Sequence, residues 1–118
     1  MRHILILEDS KLIQKIYQIY LMPDKYTLTL LSNGSEGLNF LQKGGNRTPD
    51  LIILDLEMPV LDGDSFLKSL KSLNRLSKIP VLICSSLPAT SNPDSSRPFL
   101  MKPFGPQELI STIDRLIS

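Results

Sequence analysis

Four short apolar runs in this 118-residue chain each end in groups that can do chemistry. Glu8 and Asp9 follow residues 3–7, Asp55 follows 51–54, Ser85 follows 81–84, and Lys102 follows 99–101. If the runs lie side by side, acids, a hydroxyl and an ammonium converge. Three carboxylates in one place repel one another and raise each other's pKa values unless a cation intervenes. Mg2+ answers that need: it prefers an octahedral oxygen shell at about 2.1 Å, which two or three carboxylates and a backbone carbonyl supply well. No EF-hand-like ligand loop points to calcium instead. Taken singly, each group also has a plainer reading: Asp55 as the acid that opens a turn, Ser85 as a strand end, Lys102 as a cover for apolar surface.

The elements that must position these groups follow from the hydrophobic pattern. Residues 51–54, bounded by Pro49-Asp50 and Pro59, are too short for a helix and suit a strand covered on both faces. Residues 3–7, 81–84 and 99–101 read the same way, and 26–31 alternates with threonine as a second strand. Ser10 is the predicted N-cap of a helix running to about Met22, before Pro23. Its apolar residues Leu12, Ile13, Ile16, Tyr17, Ile19 and Tyr20 interleave with Lys11, Gln14, Lys15 and Gln18 on the polar side. After Asn33-Gly34, Ser35 is the expected cap of a short helix with Leu38, Phe40 and Leu41, ended by Gly44-Gly45. A helix after Gly63 presents Phe66, Leu67, Leu70 and Leu73, and another from Pro106 presents Leu109, Ile110, Ile113, Leu116 and Ile117. Strands alternating with helices predict an α/β fold, a doubly wound parallel sheet with right-handed crossovers, as one domain over residues 1–118. Ligands of such sheets bind beyond the carboxyl ends of the strands, where the reactive groups stand.

With 42% hydrophobic and 21% charged residues the chain fits a globular core that needs neither disulfides nor a structural metal. A net charge of +1 without a basic run argues against direct nucleic-acid binding. No apolar stretch reaches membrane-spanning length and the N-terminus lacks a signal-peptide profile, so a cytoplasmic protein without membrane contact is expected. Cys84 is expected to be a buried, inert thiol, and His3 a surface residue rather than a catalyst. Neither a phosphate-cradling Gly-rich loop nor a Ser-His-Asp arrangement is visible.

Glu8-Asp9, the block Leu54-Asp55-Leu56-Glu57-Met58-Pro59 running to Asp62-Gly63, Ser85, and Lys102-Pro103-Phe104 together resemble the receiver domain of two-component response regulators. The resemblance covers almost the whole chain. It implies a flavodoxin-like five-stranded sheet of order 2-1-3-4-5. It implies that Asp55 accepts a phosphoryl group from a phosphohistidine on a sensor histidine kinase or histidine phosphotransfer protein. Glu8, Asp9, Asp55 and the backbone carbonyl of Glu57 would hold Mg2+, and Lys102 would offset charge on the transferred group. The Ser85 hydroxyl and the Phe99 ring would form the switch, and Pro103 would follow a cis bond. The domain would be a phosphoacceptor, not a turnover enzyme, and an unidentified effector would read its changed surface. In the family the kinase docks near the first helix, which makes Ile13, Ile16, Tyr17 and Tyr20 candidate contacts.

Residues 86–98 depart from that pattern. Pro88, Pro93 and Pro98 forbid the multi-turn helix that receivers place there, so the fourth helix is predicted to be missing or a single turn. Its loss is expected to expose apolar residues of the fourth and fifth strands, unless the loop folds over them. A homodimer or partner contact on that face, and weakened coupling from Ser85 to Phe99, follow as expectations. Two other functions remain open: a phosphorylation-independent binding module, and a Mg2+-dependent phosphohydrolase that forms an aspartyl phosphate. The chain lacks the length for the substrate-closing cap of the second.

Overall fold

The computed structural model describes residues 1–21, 23–43 and 45–117, which build a five-stranded, wholly parallel sheet flanked by helices. In chain order these are β1 (Arg2–Leu7), α1 (Lys11–Tyr20), β2 (Tyr26–Leu31), α2 (Gly34–Gln42), β3 (Leu51–Leu54), α3 (Gly63–Lys71), β4 (Val81–Ser85), β5 (Phe99–Met101) and α4 (Pro106–Ile117). Single 3-10 segments at Asn74–Lys78 and Ala89–Ser91 precede β4 and β5. The strand order is β2-β1-β3-β4-β5, the flavodoxin-like arrangement.

Alternate strand residues point to opposite faces, and the sheet is buried on both. Leu5, Leu7, Ile52, Leu54, Val81 and Ile83 pack against Phe66, Leu67 and Leu70 of α3 and the half-buried Leu38, Phe40 and Leu41 of α2. Ile4, Ile6, Leu51, Ile53, Leu82, Cys84 and Leu100 pack against Tyr17 of α1 and Leu109 and Ile113 of α4. Full burial of each such side chain contributes ~1.5–3 kcal/mol. The two-sided cover explains why β1, β3 and β4 read as continuous apolar runs rather than alternating ones.

Several local expectations are corrected. Asn33, not Ser35, caps α2: its side chain accepts from the Glu36 amide at 2.9 Å, because β2 ends at Leu31 and leaves Asn33 at the turn. α1 ends at Tyr20, and the expected end at Met22 lies outside the described residues, as does Gly44 beyond α2. Leu73 lies past α3 but still packs on the same core. His3 is buried, at 4% exposure: its Nε2 sits 2.8 Å from Thr29 Oγ1 and Phe40 of α2 covers the ring. Gln14, assigned to the polar side of α1, is buried as well.

Between β4 and β5 one 3-10 turn replaces a helix, as the prolines require. This strap folds back over the sheet. Asp94 Oδ2 lies 3.2 Å from Arg97 Nε and 3.5 Å from Lys71 Nζ of α3, while Asn92 accepts from the Asp94 amide. Leu87 packs on the core, every residue of β4 is buried, and Leu100 is buried in β5. The apolar exposure expected from a missing helix is therefore confined to Met101, at 51%.

Candidate functional site

β1, β3, β4 and β5 end at one edge of the sheet, with Leu7 opposite Leu54, Leu54 opposite Ile83, and Ser85 opposite Met101. The residues that follow are Glu8, Asp55 and Lys102, so groups up to 94 positions apart in the chain meet there. Glu8, Asp9 and Asp55 each offer a carboxylate oxygen, and these atoms lie within 4.8 Å of one another. From β5, Lys102 Nζ reaches to 2.5 Å from Glu8 Oε1 and 3.6 Å from Asp55 Oδ2. Glu8 and Asp55 are buried and Asp9 is exposed. Three carboxylates facing one ammonium leave an excess of negative charge on hard oxygen donors, which fits a divalent ion such as Mg2+.

The charges perturb one another. Burial first, and then the Glu8 carboxylate, push Asp55 from 3.8 up to about 6, against the pull of Lys102 and of the Glu57 amide, which donates to Asp55 Oδ1 at 3.2 Å. For Lys102 burial pulls the pKa down, but the hydrogen bond to Glu8 and the charges of Glu8 and Asp55 carry it above its ordinary value. A fixed cation thus stands beside a poised carboxylate.

The loop after Asp55 is folded tightly enough to demand its glycine. A Cβ on Gly63 would lie 2.7 Å from the Asp55 carbonyl oxygen and 2.7 Å from Leu56 Cα. Val60 turns the chain with φ 69, a left-handed conformation uncommon for a β-branched residue, and Leu61 N–H closes the turn onto the Pro59 carbonyl at 2.8 Å.

Ser85 and Phe99 lie at the same edge without joining the carboxylates. Among the described residues Ser85 makes no hydrogen bond to that cluster: its Oγ accepts from the Leu87 amide at 3.1 Å, and its carbonyl accepts from the Lys102 amide at 2.8 Å. Phe99 stands opposite Ile83 and is half-buried against the core on the α2 and α3 side. The Glu57 side chain is exposed, 3.3 Å from Ser86 Oγ. Lys102-Pro103 is cis. Cys84, under the site, is buried and burial pushes its thiol up to about 12, so it is inert.

On α1, Tyr17 is removed from the candidate contact surface, since its ring is 1% exposed and packs 5.9 Å from that of Phe104. Ile13, Ile16 and Tyr20 line a hollow of about 140 Å3 with Lys102, Pro103 and Phe104. Leu12 and Ile19 stand outward. Sequence reasoning missed Gln14, whose Nε2 donates to the Glu8 carbonyl at 2.6 Å. The available signal was its place three residues before Tyr17, on the helix face that packs inward.

The family model for the response regulator receiver domain matches residues 4–114. The chain belongs to that family. This receiver is 31% identical over 120 residues to the probable transcriptional regulator ycf29 of Porphyra purpurea, an alignment covering 98% of the chain and 56% of that protein. The chain thus spans about half the length of that curated relative. Its fold is similar to that of the chemotaxis response regulator CheY4 of Vibrio cholerae, with TM-score 0.86, 27% identity and 98% of each chain covered. It is also similar to the receiver domain of a sensor histidine kinase from Pseudomonas aeruginosa PAO1, solved with magnesium ion coordinated in its active-site cleft. There the TM-score is 0.83 at 24% identity, covering 98% of this receiver and 97% of that chain, a likeness of fold. Response regulators and sensor kinases are the proteins of two-component phosphoacceptor signalling, and this receiver is a domain of that kind.

Proposed function

We propose that Asp55 is the phosphoacceptor and that a sensor histidine kinase or histidine phosphotransfer protein is the donor. The observation that carries this reading is the placing of Lys102 Nζ 3.6 Å from Asp55 Oδ2, beside three carboxylates gathered within 4.8 Å. An Asp55 oxygen attacks the phosphorus of the donor's phosphohistidine, a P–O bond forms as the N–P bond breaks, and the imidazole leaves. Little covalent chemistry falls to the protein, so positioning and charge dominate. Glu8, Asp9, Asp55 and the Glu57 carbonyl would hold Mg2+, which when bound supplies positive charge against the phosphoryl oxygens. Lys102 supplies a second, fixed positive charge.

The Ser85 hydroxyl donates to the new phosphoryl oxygens, and Phe99 follows it inward. Before it does so, Ser85 must give up the hydrogen bond from Leu87, so the strap is the first segment to register the change. An effector reads that surface; the domain acts in the cytoplasm and turns over no substrate of its own.

The test is intact-mass analysis after incubation with acetyl phosphate. With Mg2+ the wild type is expected to gain one hydroxylamine-labile phosphoryl group, whereas EDTA or Asp55→Asn abolishes the gain. A wild type left unlabelled under conditions that label other receivers would instead support a phosphorylation-independent binding module.

A further inference from the structure

Gln14 is a polar residue on the inward face of α1, only 7% exposed, where an apolar side chain would be the ordinary choice. Burying a carboxamide is unfavourable unless it is hydrogen-bonded. Its Nε2 donates to one acceptor at 2.6 Å, the main-chain carbonyl of Glu8, six residues back and outside the helix.

That carbonyl has lost its natural partner. The Glu8 amide donates to the Leu31 carbonyl at 3.0 Å, continuing the parallel ladder between β1 and β2. In such a ladder the Glu8 carbonyl would next accept from the amide two residues beyond Leu31. β2 has ended by then, and Asn33 caps α2 instead. The Gln14 side chain stands where the ladder stops.

The result is a Glu8 held at every polar atom. Its amide goes to Leu31, its carbonyl to Gln14, Oε1 to Lys102 and Oε2 to the Ser10 amide at 3.1 Å. α1 is tied into the same turn, since Ser10 Oγ accepts from the Ile13 amide and the Ser10 carbonyl from the Gln14 amide. The peptide unit that Gln14 grips is the one that leads into Asp9, the exposed acid of the cluster.

We propose that Gln14 is a positioning residue of the cation site: by fixing the Glu8–Asp9 peptide it sets where both carboxylates stand relative to Asp55. This inference rests on the reading of Glu8, Asp9 and Asp55 as Mg2+ ligands. Groups that orient metal ligands commonly change affinity by about 10–100-fold when removed. Gln14 reaches two ligands through one peptide.

The test compares the whole chain with Gln14→Met, which keeps length and burial but not the donor, by calorimetric titration with Mg2+. Affinity is expected to fall about tenfold. The labelling rate with acetyl phosphate is expected to return to the wild-type level once Mg2+ saturates. Thr112→Val serves as the matched control, because Thr112 is also 7% exposed and its hydroxyl donates to the Glu108 carbonyl inside α4. It is expected to lose stability without any change in Mg2+ affinity. A folded Gln14→Met with unchanged Mg2+ affinity overturns the proposal.

A second measurement uses the wild type alone. The Gln14 side-chain amide resonance is expected to shift during the Mg2+ titration with the half-saturation found by calorimetry, and an unmoved resonance overturns the proposal. Failure of the wild type to bind Mg2+ would remove the reading of the site and this inference together. Normal wild-type binding with an indifferent Gln14 would remove this inference alone.

Discussion

Asp55 is held, in the metal-free protein, in surroundings that oppose its own charge. Burial and the Glu8 carboxylate raise its pKa, and Lys102, already bonded to Glu8, offsets this only in part. Asp55 titrates at 3.8 when unfolded and at about 6 when folded, so the folded state holds the proton more tightly. Its favourable contribution is complete below pH 3.8 and is lost as pH rises through about 6. The shift corresponds to ~3 kcal/mol, which solvent screening of a partly exposed group reduces to roughly 1–2 kcal/mol. Asp55→Asn, neutral and similar in shape, is therefore expected to be more stable than wild type by about 1–2 kcal/mol at pH 8 in EDTA. The gap should close toward pH 4, and adding Mg2+ should stabilise the wild type but not the variant. Urea denaturation at both pH values measures this. An Asp55→Asn protein no more stable than wild type at pH 8 would remove the electrostatic account of the site.

Among the elements, the segment between β4 and β5 sets this receiver apart. Its prolines remove a helix, and polar side chains supply what the helix backbone would have: Asp94 Oδ1 accepts from the Ser96 amide and hydroxyl, and Asn92 Nδ2 donates to the Arg97 carbonyl at 3.2 Å. Asp94→Ala should thus speed amide hydrogen exchange across residues 92–97 while leaving the global denaturation midpoint nearly unchanged, since the ion pairs to Lys71 and Arg97 lie close to solvent. Unaltered exchange there would mean that the prolines alone hold the strap. The loss of the helix was legible because proline's missing donor is a local fact. The Asp94 clasp was not, because its partner on α3 comes from a distant part of the chain. The same distinction separates the five strands, readable as short apolar blocks with reactive groups at their ends, from the cap of α2. Asn33 and Ser35 are both competent caps, and only the end of β2 decides between them. Gln14 and His3 were misjudged for a related reason: a polar residue's burial depends on a partner that its own segment does not contain.

For the molecule as a whole, His3 marks the seam where the start of the chain is tied to its middle. Its amide donates to Asp50 Oδ2 at 2.8 Å, its carbonyl accepts from the Asp50 amide at 2.7 Å, and Arg47 donates to the Met1 carbonyl at 2.6 Å. Burial, and after it the Arg47 charge, hold the imidazole pKa below 6.5, with Asp50 pulling the other way. The geometry agrees, because Nδ1 is buried without a partner and an imidazolium would place an unsatisfied N–H there. With a depressed folded pKa, this residue's contribution is intact above pH 6.5 and is lost as pH falls through the folded value. Asp55 changes in the opposite sense over part of the same range, so the wild-type curve alone would hide the effect. The decisive quantity is the difference between wild type and His3→Gln, which keeps a polar group for Thr29 but does not titrate. From pH 7.5 to 5 the stability of the wild type should fall relative to that variant, read as converging or crossing urea midpoints. Parallel midpoints across that range would show that His3 stays neutral or takes its proton without disturbing the seam.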